Sequence, residues 1–221
     1  MLHPGLLCRS ICAADPKVTT LREFQSAAGI ASISVARTVL DFLVARGIGR
    51  IEGGNPVFSA SDRLKAAILA LHEAGCDARL VSEHLSWQDF EGLASEILSS
   101  FGYATITNMR LKRPRIEIDV VGISSDMAIL VDCKHWKRPN GSLIAAFAKK
   151  QEARALRLIR ENPRIKSAVP VILTLNTESI RFVEGVPVVP VIQFRSFLAD
   201  LQSHLSEIRV IRKPMKLQAW Q

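Results

Sequence analysis

A carboxylate and an ammonium group stand two residues apart after one apolar segment. Ala128–Val131 is apolar, and Asp132, Cys133 and Lys134 follow it directly. Side chains two apart on a strand project from the same face. We therefore expect Asp132 and Lys134 to lie together, with Cys133 pointing the other way. Charged groups beside a buried segment are costly unless they find partners, so this pair is a candidate for acid, base or metal chemistry.

A second carboxylate lies on the preceding predicted strand. We predict that strands Arg115–Ile123 and Met127–Lys134 form a hairpin through a turn at Gly122–Asp126, which brings Asp119 near Asp132. Two neighbouring carboxylates repel each other unless a proton or a divalent cation lies between them. Oxygen ligands favour Mg²⁺ or Mn²⁺ over zinc. The sequence therefore predicts a site for Mg²⁺ (or Mn²⁺) here.

Three segments between Trp87 and Leu201 together resemble the PD-(D/E)xK nuclease superfamily, and more narrowly the Mrr-like restriction endonucleases and Holliday-junction-resolvase relatives. They are Phe90-Glu91 with Leu98 and Phe101-Gly102-Tyr103, then Ile118-Asp119-Val120-Val121-Gly122, then Val131-Asp132-Cys133-Lys134-His135-Trp136.

Two positions depart from the pattern of that family. Ile118 stands where the superfamily has its name-giving proline, and Asp132 stands where many Mrr-like members carry Glu or Gln. An aspartate still ligates a metal, so the resemblance still implies an active site.

The resemblance implies a metal-dependent DNA endonuclease that hydrolyses phosphodiester bonds. In this interpretation Asp119 and Asp132 bind the metal, with the Cys133 carbonyl as a further ligand. Glu91 adds a ligand, directly or through water. Lys134 orients or activates the attacking water and stabilises charge on the phosphate. The expected cofactor is Mg²⁺ or Mn²⁺.

Gln151 is a further candidate, because related nucleases often place a polar residue beside the site. Structural alternatives stay open for these residues. Asp119 and Lys134 could form a buried ion pair, and Glu91 could be a solvated residue near a helix N-terminus. Gln151 could be a buried glutamine that the backbone satisfies. On a helical wheel Glu91 falls at the edge of the apolar stripe, which favours the inward position.

The positive charge of the chain is concentrated around these residues. The 221 residues carry 29 Lys or Arg and 21 Asp or Glu. Between Ala104 and Lys166 there are 14 Lys or Arg against 6 Asp or Glu, so this segment holds the whole net charge of +8. We predict DNA as the partner, although a solvated face explains many charge runs. The residues that suit phosphate contacts are Lys137, Arg138, Lys149, Lys150, Arg154 and Arg157.

The elements predict two domains, 1–85 and 86–221. In the first, helices at 20–28 and 32–46 precede a hairpin at 48–58 and helices at 61–74 and 77–85. This order resembles a winged helix-turn-helix, a DNA-binding module. A small helical domain for packing or dimerisation is the alternative. The candidate recognition helix, with apolar Val35, Val39, Leu43 and Val44, carries only Arg37 and Arg46 as basic residues.

The second domain is predicted to be α/β, a restriction-endonuclease-like mixed sheet flanked by helices. We predict helices at 87–100, 142–162 and 194–205. The predicted strands are 103–108, 115–123, 127–134, 168–175 and 186–192.

Cysteine usage and hydropathy predict a cytoplasmic protein without membrane segments. Cys8 and Cys12 form a lone C-x3-C pair; His3 or Cys76 could complete a zinc site, but small packing residues are the simpler interpretation. A homodimer is plausible, because enzymes that cut both strands often dimerise. The alternative function is a DNA-binding protein or regulator that keeps the nuclease fold without catalysis. An enzyme for phosphorylated small molecules ranks lower, since the sequence has no Gly-rich phosphate loop.

Overall fold

The computed structural model describes residues 3–72, 75–76, 80–81, 84–112, 115–134, 141–174 and 180–213. The chain divides into two compact units, Met1–Leu93 and Ala94–Gln221. The predicted boundary at 85/86 lies eight residues before this division. A Cβ added to Gly92 would lie 3.5 Å from Ala60, so the chain just before the division packs within the first unit.

The first unit is mainly helical and contains one small hairpin. Its elements are α1 (Pro4–Ser10), α2 (Leu21–Ala27), α3 (Ile33–Val44), β1 (Arg50–Glu52), β2 (Asn55–Val57) and α4 (Asp62–His72). Helix α5 (Trp87–Ser100) begins in this unit and ends in the next. The predicted helices at 20–28, 32–46 and 61–74 and the hairpin at 48–58 are confirmed within a few residues. Helix α1 was not predicted, and the predicted helix at 77–85 lies partly outside the described residues.

Capping and aromatic packing stabilise helix α2 of this unit. The Thr20 side chain accepts from the Glu23 N–H, and the Glu23 carboxylate accepts from the Thr20 N–H, which is a capping box. Phe24 stacks on Phe58 with ring centroids 6.0 Å apart. Val35, one of the apolar residues that predicted helix α3, is exposed.

The buried face of α3 comprises Ala36, Val39, Leu40 and Leu43. Two of the apolar residues that predicted the helix, Val39 and Leu43, therefore lie in the core, and Val44 is half-buried.

The hairpin depends on glycine. Gly49 has φ +69°, and a Cβ there would lie 2.6 Å from the Phe58 ring, so both backbone and packing exclude a side chain. Gly53 and Gly54 also have positive φ, as the tight turn requires. Arg37 donates to the Gly54 carbonyl at 2.9 Å. Arg37, the basic residue of α3, is thereby hydrogen-bonded to the turn of the hairpin.

The second unit is an α/β unit built on a seven-stranded mixed sheet, as predicted. Its strands are β3 (Ala104–Leu111), β4 (Ile116–Ser124), β5 (Met127–Lys134), β6 (Ser167–Thr174), β7 (Arg181–Val183), β8 (Val186–Pro190) and β9 (Ile211–Arg212). The order is β3-β4-β5-β6-β8-β7, and β9 pairs with β6. Pairs β5–β6 and β6–β8 are parallel, and the other pairs are antiparallel.

Helices flank this sheet. Helix α6 (Gly141–Glu161) joins β5 to β6, and α7 (Phe194–Ala199) and α8 (Leu201–His204) close the unit after a 3-10 turn at Val191–Gln193. The closing helix, predicted as 194–205, is thus divided at Asp200. The short strands β7 and β9 were not predicted.

The core lies between α6 and the sheet. Ala155 and Leu158 of α6 pack in one buried cluster with Ile118 of β4 and Leu130 of β5. Burial of such side chains stabilises the unit by about 1.5–3 kcal/mol each for the larger ones. The long helix is therefore fixed against the two strands that carry the candidate site.

Gly122 in the D-x-x-G segment has a packing role. A Cβ at Gly122 would lie 3.1 Å from the Leu98 methyl carbons and 3.2 Å from Cβ of Tyr103. The missing side chain therefore lets the last turns of α5 approach β4 closely.

All four cysteines are free thiols. In the first unit the Cys12 sulfur lies 2.9 Å from Nδ1 of His84, and burial raises the pKa of the Cys12 thiol. Among the described helices, none combines the length and apolar character that crossing a membrane requires.

Candidate active site

The β4–β5 hairpin places Asp119 beside Asp132. Antiparallel pairing runs from Ser124 opposite Met127 to Val120 opposite Val131. Asp119 and Asp132 are the next residues of the two strands, so they follow the last pair directly. Oδ2 of Asp119 accepts from the Cys133 N–H at 2.8 Å. The predicted proximity of the two carboxylates is confirmed.

Asp132 is the most enclosed charged group of the site, with 1% of its surface exposed. Nζ of Lys134 lies 3.0 Å from its Oδ1 and 2.9 Å from its Oδ2, and hydrogen-bond geometry is met at Oδ1. Nη1 of Arg154 donates to Oδ1 at 2.5 Å. Among the described residues, Oδ2 has no hydrogen-bond donor although it is buried. This carboxylate therefore keeps unused capacity to accept a bond.

The surroundings of Asp119 favour its protonated form. Burial raises its pKa, and the negative charge of Asp132 raises it further. The Cys133 N–H and the charges of Lys134 and Arg154 act in the opposite direction, but the net shift is upward. A cation placed between the two carboxylates would relieve this repulsion.

Gln151 on α6 is fully buried. Its Nε2 donates to the carbonyls of Leu130 at 2.9 Å and Val171 at 3.2 Å, and its Oε1 accepts from Arg154 at 3.1 Å. Backbone carbonyls therefore satisfy the N–H groups of the Gln151 amide. The amide oxygen binds Arg154, which contacts Asp132, so Gln151 also lies beside the site.

Arg154 lies elsewhere than expected. The sequence predicts Arg154 as a phosphate contact, together with Lys150 and Arg157. The structure instead has its guanidinium on Asp132, with 21% of the side chain exposed. The signal was the spacing: Arg154 is three residues after Gln151, and such residues are neighbours on a helix surface.

The other predicted phosphate contacts on α6 occupy different surroundings. Lys149 and Lys150 are exposed, with Nζ of Lys149 3.6 Å from Glu184. Nζ of Lys150 lies 5.2 Å from the centre of the Phe147 ring, and Nζ of Lys134 lies 4.9 Å from the same ring. The ammonium groups of Lys150 and of Lys134 thus lie beside the same aromatic ring.

Arg157 is bound to the protein itself, through Glu161 at 2.5 Å and the Lys112 carbonyl at 3.0 Å. Lys137 and Arg138 lie outside the described residues. Glu91 lies on α5 in the first unit and is 5% exposed, as its position on the helical wheel predicted. Its assignment as a metal ligand stays a prediction.

The donor set suits a hard divalent cation. Asp119 and Asp132 offer carboxylate oxygens, the Cys133 carbonyl is a backbone oxygen beside them, and Oδ2 of Asp132 is the buried oxygen without a hydrogen bond. Oxygen donors of this kind suit Mg²⁺ or Mn²⁺. Within the described ranges, no three His, Cys, Asp or Glu side chains are gathered as a metal site. A cation here would accordingly complete its coordination with backbone oxygen, water or phosphate, as Mg²⁺ commonly does.

Comparison with known proteins gives relatives of unestablished function. No family model matches the chain. A crystal structure of a protein of unknown function is 25% identical, with a TM-score of 0.31, over 37% of this chain and 43% of that one. The crystal structure of a Vibrio cholerae protein is 14% identical, with a TM-score of 0.37. The match covers 92% of this chain but only 51% of the Vibrio cholerae protein.

An uncharacterised protein of Archaeoglobus fulgidus is 30% identical over 127 residues. That region is 56% of this chain and 97% of the archaeal protein. The chain therefore belongs to the same family as this archaeal protein.

Proposed function

We propose that the protein is a metal-dependent DNA endonuclease of the PD-(D/E)xK type. The observation that carries this proposal is the meeting of Asp119 and Asp132 where the pairing of β4 with β5 ends, with Lys134 donating to Asp132. Two carboxylates can hold a divalent cation, and the lysine offers a fixed positive charge, so together these groups suit hydrolysis of a phosphodiester. The resemblance of the three sequence segments supports the same function.

Each residue has a chemical task in this proposal. Asp119 and Asp132 hold Mg²⁺ or Mn²⁺, with the Cys133 carbonyl as a further ligand. When bound, the cation polarises the scissile phosphate and lowers the pKa of water. Lys134 directs a fixed positive charge at the phosphate, where negative charge develops during attack. Gln151 positions Arg154 through its side-chain oxygen.

We expect the purified protein to cut plasmid or branched DNA in Mg²⁺ or Mn²⁺ and to stop when a chelator is added. The physical reason is that the two carboxylates need a cation before they can approach a phosphate. Gel electrophoresis of supercoiled plasmid and of a synthetic junction measures this, with Asp132→Asn purified identically as the control for a contaminating nuclease. Wild-type protein that leaves every substrate intact in both metals would refute the proposal.

Phosphate contacts by Lys149 and Lys150 predict a salt-dependent affinity for DNA. The double variant Lys149→Ala/Lys150→Ala should reduce the slope of log affinity against log salt concentration by roughly 2, since each lost phosphate contact removes about one. Fluorescence anisotropy with a labelled duplex at several salt concentrations measures the slope. Lys166→Ala is the control, because Lys166 is exposed and lies beside a carboxylate as Lys149 does, but it stands just before β6 and not on α6. An unchanged slope in the double variant would remove these lysines from the interface.

One observation favours a second candidate function, DNA binding without cleavage. Asp132 is already paired with both Lys134 and Arg154, so the protein is electrostatically satisfied there without a cation. Salt-sensitive binding of DNA, together with no cleavage in any divalent metal, would support this candidate.

A further inference from the structure

Two protein cations already lie beside the carboxylates of the site without a metal. The two carboxylates are Asp119 and Asp132, and the two cations within reach are Lys134 and Arg154, whose charges both act on Asp119. Adding a divalent cation to this group would leave an excess of positive charge in a site whose central residue is buried. Release of one of the two protein cations would therefore favour binding of the divalent cation.

We propose that Arg154 is a displaceable counter-ion of Asp132: it neutralises this carboxylate in the metal-free protein and leaves it when a divalent cation binds. This inference rests on the proposed metal-dependent function and adds a residue that regulates metal loading. Arg154 acts through Asp132 and is therefore a positioning residue.

Arg154 is better suited to move than Lys134. Lys134 is fixed two residues from Asp132 on the same strand, and its ammonium also faces the Phe147 ring. Arg154 reaches Asp132 from helix α6 by a long side chain. Its guanidinium is also bonded to Gln151, so it can release the carboxylate and keep one partner.

The phosphate groups of a DNA substrate could bind the displaced guanidinium of Arg154. A guanidinium binds phosphate oxygens as well as it binds carboxylate. When the metal binds Asp132, the released guanidinium of Arg154 would therefore bind a DNA phosphate at the site. The binding of DNA and the binding of metal would then each strengthen the other. This also reconciles the predicted phosphate contact of Arg154 with its observed ion pair.

The test is the affinity for Mn²⁺ in the absence of DNA, measured by calorimetry or by the electron paramagnetic resonance of free Mn²⁺. Arg154→Gln keeps hydrogen-bonding capacity but removes the positive charge that opposes the cation. We expect it to bind Mn²⁺ at least roughly tenfold more tightly than wild type. Arg154→Lys, which keeps the charge, should stay near the wild-type affinity. Arg157→Gln is the control, because it removes a charge from the same helix at a residue bound to Glu161.

The possible outcomes separate the two proposals. Equal Mn²⁺ affinity in wild type and Arg154→Gln, with binding lost in Asp132→Asn, would overturn the counter-ion role but leave the metal site intact. Failure of all variants to bind Mn²⁺ would overturn both the metal site and this inference. If Arg154→Gln does not fold, the NMR signals of ¹⁵N-labelled arginine in wild type decide. The Arg154 signal, assigned with Arg154→Lys, must shift on Mg²⁺ addition, and a static signal in metal-saturated protein overturns the proposal.

Discussion

Asp132→Asn is expected to lower the rate of DNA cleavage by about 10²- to 10³-fold, close to the background of an assay. The substitution keeps the shape of the side chain but removes the negative charge that would hold the metal. It also leaves Lys134 and Arg154 without their shared carboxylate. The initial rate of plasmid nicking at saturating Mg²⁺ is the measurement, with circular dichroism to confirm folding.

Asp119→Ala and Lys134→Ala should show losses of the same order, because the three groups act as one unit in the proposed chemistry. Asp126→Asn is the matched control. Asp126 lies in the turn of the same hairpin, and its exposed carboxylate pairs with Lys166 at 3.0 Å. Its cleavage rate should equal that of wild type. Full activity in Asp132→Asn, Asp119→Ala and Lys134→Ala would reject the assignment of these roles.

The hairpin that carries the site could be predicted from the sequence, because the features that indicate it are local. An apolar run, the turn predicted at Gly122–Asp126 and the alternation around Asp119 defined β4 and β5 within one residue, although the turn itself is shorter and contains Ser125 and Asp126. Register then follows from the turn, since antiparallel strands joined by a tight turn have little freedom to slip. The proximity of Asp119 and Asp132 was therefore predictable without a structure.

The position of Arg154 was not predictable by the same means. A helical wheel gives the direction of each Cβ, but an arginine side chain is long enough to reach around the helix to a neighbouring carboxylate. Its position is decided by Asp132 on β5, a residue 22 positions earlier in the chain. A helical wheel of α6 contains no information about Asp132, because Asp132 belongs to another element.

The strands β7 and β9 show a different limit. They contain three and two residues, too few for a period of two to appear in the sequence. β9 exists because it pairs with the first residues of β6, a contact across some 40 residues of chain. Such short strands form only through pairing with the rest of the sheet, so their own sequences do not predict them.

The second large effect is expected from Gln151→Leu, which should destabilise the protein by about 2–4 kcal/mol. The leucine is similar in volume, but it removes both N–H donors from the buried carbonyls of Leu130 and Val171. A buried acceptor that loses its donor costs about 1–3 kcal/mol. Nearby Pro170 on β6 has no N–H of its own to offer in compensation. Urea unfolding followed by circular dichroism measures the loss.

Gln151→Glu distinguishes the loss of donors from a change of shape. It matches glutamine in size, but an ionised carboxylate offers only acceptors to the two carbonyls, so it should destabilise at least as much as leucine does. Lys150→Ala, exposed on the same helix, should change stability by less than about 0.5 kcal/mol. Stability equal to wild type in both Gln151 variants would show that the amide is not what joins α6 to β5 and β6. The role of the Gln151 amide would then be limited to its oxygen, which accepts from Arg154. In that case Gln151→Leu would be expected to alter Mn²⁺ affinity without altering the urea midpoint.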